Sequence, residues 1–67
     1  MSADNYIGIK KRGLNWWVWW GFASEGRPNY RKAKQFETRE KAVDYAIELE
    51  KELGYVEYGI RFFHLED

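Results

Sequence analysis

The sequence predicts a single α+β domain, residues 1–67, with a three- or four-stranded, mainly antiparallel sheet and one helix packed on one face. Three observations predict it. Apolar and polar residues alternate at period two over the first third of the chain and again near its end. Between these stretches Ala42, Ala46, Leu49 and Leu53 recur at helical spacing, flanked by Val43 and Tyr45. The period switches at Phe36–Thr38, which gives the order ββ(β)αβ and a two-layer architecture.

The first strand is expected over about Tyr6 to Lys11. Ile7 and Ile9 lie on one face, with Tyr6, Gly8 and Lys10 on the other. Arg12-Gly13-Leu14-Asn15 makes the turn, since Gly13 and Asn15 both tolerate positive φ. A second strand over about Trp16 to Phe22 completes a hairpin. Ala23 to Asn29 is a loop punctuated by Gly26, Pro28 and Asn29. A third strand over about Tyr30 to Gln35 is polar, as suits an edge guarded by lysines.

Thr38 is the expected N-cap of a helix over about Arg39 to Leu53, and Gly54 the residue that ends it. The reciprocal capping box is absent, because Lys41 stands where Glu or Gln would be needed. A last strand alternates over about Val56 to Leu65.

A chain of 67 residues buries only about 60% of its unfolded surface, and no cysteine is present to staple it. Thirteen aromatic residues compensate, each ring burying roughly 150–250 Å². The lack of cysteine suits a reducing cytoplasm. Met1-Ser2-Ala3-Asp4 has neither a basic nor an apolar leader character, so no signal peptide is expected. No apolar run approaches the ~18 residues of a membrane span.

Net charge is zero, but residues 1–34 carry seven Lys and Arg against two acids, and residues 35–67 four against nine. Such asymmetry predicts a polarised surface with a basic end. Four of the acids on the helix, Glu40, Asp44, Glu48 and Glu52, follow one another every fourth residue and form a ridge. An acidic ridge argues against this helix entering a DNA groove, where a recognition helix faces phosphates. It equally describes a solvated outer face or a dock for a basic partner.

Trp16-Trp17-Val18-Trp19-Trp20 carries the functional question. On a strand, Trp16, Val18 and Trp20 point one way and Trp17 and Trp19 the other, and a core needs only one face. If the Ile7/Val18 side faces the helix, the opposite side collects Tyr6, Lys10, Trp17, Trp19, Arg61 and Phe63, with Lys32 and Lys34 if the third strand keeps register.

Aromatics interleaved with cations suit nucleic acid, because rings stack on bases and cations meet phosphates. Lys10, Trp17, Trp19, Lys32, Lys34 and Arg61 are therefore the expected nucleic-acid-binding residues. The same composition serves a protein partner or a homodimer, through Trp17 and Trp19 or through Glu40, Asp44, Glu48 and Glu52. A third arrangement packs Trp17 and Trp19 beneath the Ala23–Asn29 loop or the N-terminal segment.

Catalysis has little to stand on. His64 is the lone histidine, Ser2 and Ser24 have no placed base, and no glycine-rich phosphate loop precedes a helix. No enzymatic activity, metal or cofactor is expected.

Two resemblances add to this reading. Ile9-Lys10-Lys11-Arg12-Gly13, Trp17-Val18 and the run from Arg31 to Ala42 resemble the N-terminal arm-binding domain of phage integrases. That resemblance spans about Ile7 to Leu53 and implies an AP2-like fold, three strands and one helix, whose sheet binds DNA. The chain departs from it by adding Val56–Leu65 and by lacking a catalytic domain. The opening Met1-Ser2-Ala3-Asp4-Asn5-Tyr6, with Gly21-Phe22-Ala23-Ser24, Ala42-Val43-Asp44-Tyr45-Ala46 and Glu57-Tyr58-Gly59-Ile60, is similar to small uncharacterised phage and prophage proteins. This second resemblance implies no particular activity.

Overall fold

The hairpin forms around Gly13. β1 (Asn5–Arg12) and β2 (Asn15–Phe22) pair antiparallel from Arg12↔Asn15 to Asn5↔Phe22, leaving Gly13 and Leu14 as a two-residue connection. Gly13 has φ +63° and Leu14 does not have positive φ, the pattern of a type II′ turn, whose twist matches the strands it joins. Asn15 keeps a negative φ and begins β2. The structure, a computed structural model, describes residues 4–25 and 30–63.

The expected third strand divides. Tyr30–Lys32 form a 3-10 turn, in which the Tyr30 carbonyl accepts from the Ala33 N–H at 3.3 Å, and only Lys34–Phe36 continue as β3. A second 3-10 turn, Ala23–Glu25, follows β2, and its Ser24 N–H donates to Asp4 Oδ2 at 3.1 Å. Gly26 to Asn29, the rest of the expected loop, lie outside the described residues.

Helix α1 spans Arg39–Leu53. Thr38 Oγ1 accepts from the Lys41 N–H at 3.1 Å, and Gly54 with φ +87° closes the other end by donating to the Glu50 carbonyl. The Val56–Gly59 segment is a turn ended by Gly59 at φ +65°, so the last strand is shorter than its alternation suggests. β4 is Ile60–Phe63; the expected continuation through His64 and Leu65 lies outside the described residues.

The four strands make one mixed sheet in the order β3-β2-β1-β4. β3 pairs antiparallel to β2, and β4 runs parallel to β1 at Ile7↔Ile60 through Lys10↔Phe63. β3 and β4 therefore point the same way at opposite edges, and α1 crosses over β2 and β1 to join them. Ile7, Ile9 and Val18 from the sheet meet Ala42 and Ala46 from the helix, with Val56 closing the core. Two alanines one turn apart on the same face let the helix approach closely. Trp16, Phe36, Val43, Tyr45, Leu49, Leu53 and Ile60 pack around them, Phe36 and Tyr45 with ring centroids 5.2 Å apart. Trp20 lies on the helix side by parity yet is 41% exposed, and packs against Phe22 at 5.2 Å.

Candidate functional site

Strand parity places Tyr6, Gly8, Lys10 and Arg12 of β1 on the sheet face away from the helix. Trp17, Trp19 and Gly21 of β2 share it, as do Arg61 and Phe63 of β4 and Gln35 of β3. The centre of this face is closed. Trp19 is 2% exposed, against the expectation that it offers a stacking surface.

Three features bury Trp19. Its ring lies across Gly8, where an added Cβ would overlap Cζ2 and Cε2. Its Nε1 donates to Tyr6 Oη at 3.0 Å, satisfying the one polar atom that burial would otherwise penalise. Tyr6, Phe63 and Tyr30 surround it with centroids at 6.2, 5.3 and 5.5 Å, Tyr6 and Tyr30 nearly edge-on. Edge-to-face pairs of this kind add about 0.5–1.5 kcal/mol each beyond area burial.

The end of the face near the hairpin turn is more open. Trp17 is partly exposed and meets Tyr30 at 5.6 Å and 73°. The Arg12 guanidinium lies 4.0 Å from the Tyr30 ring centroid and 4.8 Å from that of Trp17. Trp17 Nε1 is buried and has no hydrogen-bond partner among the described residues. Lys10 is half-buried beside Trp17, and Arg61 is exposed beside Gly8.

The other expected cations are placed differently. Lys34 pairs with Val18 and so takes the helix side of the sheet, because Gln35, not Lys34, stands opposite Trp17. Asn15 Nδ2 donates to Gln35 Oε1 at 3.0 Å across this edge. Lys32 is exposed on the 3-10 turn beside Arg31, off any strand. The turn forms where Tyr30 folds its ring onto Trp17 and Trp19, which an extended strand at Tyr30 to Lys32 would not do.

Arg12 and Tyr30 join the site without being among the residues expected from sequence. Arg12 is legible there, since it continues the Tyr6, Gly8, Lys10 parity. Tyr30 has no local signal, because its placement is a tertiary contact.

The acidic ridge lies elsewhere, and one acid stands at the far end of the outer face. Glu40, Asp44, Glu48 and Glu52 are all exposed on α1, in the opposite layer, and Glu25 sits by Gly21, at the far end of the outer face from Arg12. Tyr55, also away from this face, donates to Glu57, and the hydrogen bond and charge of that carboxylate raise its phenol above the ordinary value. Among the described residues no group of three His, Cys, Asp or Glu is placed to hold a metal ion, and no helix is long and apolar enough to cross a membrane.

Compared with known protein families, with curated proteins and with solved structures, the chain shows no significant match to any.

Proposed function

We propose that this chain is a small non-enzymatic binding module that takes DNA or RNA on the outer face of its sheet. Lys10, Arg12 and Arg61 meet phosphates, Arg31 and Lys32 extend the basic margin, and Trp17 with Tyr30 supplies the ring surface. Trp19 holds that surface in place from beneath.

One observation carries the reading: cations gather at the open, ring-bearing end of the outer face. Lys10, Arg12 and Arg61 lie on that face with Arg31 and Lys32 beside it, while the helix in the opposite layer is net acidic, its Glu40, Asp44, Glu48 and Glu52 exposed and outnumbering Arg39, Lys41 and Lys51. A polyanion is drawn to one side and repelled from the other. Three antiparallel strands followed by one helix are also what the resemblance to integrase arm-binding domains implies. The cysteine-free composition suits action in the cytoplasm of a bacterial or archaeal host, where a phage or prophage protein would work.

The test is a titration of labelled single- and double-stranded oligonucleotides at low and moderate salt. The expected log K falls by roughly 0.7–0.9 per neutralised phosphate per log unit of salt. No binding at low salt, or binding indifferent to salt, contradicts the proposal.

A protein partner is the second reading, favoured by the exposed ridge of Glu40, Asp44, Glu48 and Glu52. Burial of Trp19 removes it from that reading, and with it the simplest homodimer through paired tryptophans. Light scattering after size exclusion tests the self-associating form of this reading, the acidic ridge of one copy against the basic margin of another. A dimer that charge reversal on the ridge, Asp44→Lys with Glu48→Lys, converts to monomer would support the protein reading.

A further inference from the structure

We infer that the outer face takes single-stranded nucleic acid, with one base in the place now held by the Arg12 guanidinium; the inference rests on the nucleic-acid reading above. Tyr30 and Trp17 form a corner of two rings at 73°, and a planar cation already lies against it, 4.0 Å from the Tyr30 centroid. A base is a planar group of the kind such a corner accepts. In a duplex both faces of each base are already stacked, so only an unpaired, splayed base can enter.

A second observation points to the same ligand. Trp17 Nε1 is a buried donor with no acceptor among the described residues, on the very indole that Arg12 covers. Buried donors are almost always satisfied, and one left open beside a stacking corner fits a base carbonyl or ring nitrogen. Arg12 is exposed at the end of β1, next to the hairpin turn, so its side chain can leave without unpacking the core. Leaving, it gains a phosphate of the same strand, a bidentate partner for a guanidinium. The helix cannot supply a duplex mode instead, because its exposed ridge is acidic and lies in the opposite layer.

The experiment measures fluorescence anisotropy of a labelled oligothymidylate and of a duplex of equal length, at several salt concentrations. The single strand is expected to bind about tenfold tighter or more, the scale of one base–aromatic stack. Trp17→Phe keeps a ring and removes the donor; it is expected to weaken single-strand binding about five- to tenfold and duplex binding by less. Arg12→Ala, at an exposed position, is expected to lower the single-strand salt slope by about 0.7, one phosphate. It carries the test should Trp17→Phe fail to fold. Equal or tighter duplex binding, or an unchanged salt slope in Arg12→Ala, overturns the inference and leaves the nucleic-acid reading standing. Absence of binding to either oligonucleotide at low salt overturns both.

Discussion

The two faces of this sheet solve the same burial problem with different materials. The helix face is aliphatic: Ile7, Ile9 and Val18 lie under Ala42 and Ala46, and a second layer of structure shuts out water. The outer face has no second layer among the described residues. It is closed by Trp19, Tyr6, Phe63 and Tyr30, rings large enough to cover one another over a glycine. An aromatic lid of this kind protects the middle of a face but leaves its end partly open, and there Trp17, Tyr30 and Arg12 meet solvent. Of these two tryptophans on one strand, Trp19 is therefore structural and Trp17 the candidate for binding.

If the outer face is a second core, Trp19→Ala destabilises at least as much as Ile9→Ala, about 3–5 kcal/mol. A domain of 67 residues has roughly 3–10 kcal/mol in all, so denaturant titration should find much of the Trp19→Ala population unfolded in buffer. A loss no greater than that of a surface substitution would show that the outer face is not a second core.

Gly8→Ala comes next, at about 1–3 kcal/mol, because the new Cβ overlaps the Trp19 ring. Gly8 does not have positive φ, so the penalty is steric and not conformational. In a double-mutant cycle with Trp19→Ala the combined loss should fall short of the sum of the two single losses; strict additivity would show the contact to be absent.

Tyr6→Phe sharpens the picture most finely. It strands Trp19 Nε1 without an acceptor and is expected to cost about 1–2 kcal/mol in thermal or chemical melts. Thr38→Ala, remote from both faces, is expected to cost about 1 kcal/mol through the lost helix cap, and it sets the scale for a change that touches neither.

Much of this fold is legible in the sequence because its signals are local. The helix bounds follow from Thr38, the Ala42/Ala46/Leu49/Leu53 spacing and Gly54, each a matter of a few neighbouring residues. Strand parity likewise separates Trp17 and Trp19 from Trp16 and Val18. What parity cannot give is depth. Whether Trp19 is covered depends on Tyr30 and Phe63, which arrive from other elements, and on Gly8 across the ladder. Register at the edge is equally illegible: a polar run such as Arg31-Lys32-Ala33-Lys34 has no apolar face to fix it, and a shift of one residue puts Lys34 on the helix side. The parallel pairing of β4 with β1 follows from the crossover of α1, which no short pattern encodes.

The four indole N–H groups report on both faces at once. Trp16 and Trp20 lie on the helix side, and Trp17 and Trp19 on the outer side. An NMR titration of the nitrogen-15-labelled protein with a single-stranded oligonucleotide at low salt tests the division most directly. The Trp17 indole signal is expected to move most, Trp19 to move little and keep its protection from hydrogen exchange, and Trp16 and Trp20 to stay in place. Largest shifts at Trp16 or Trp20, or no shift at Trp17 at saturating oligonucleotide, would contradict this division.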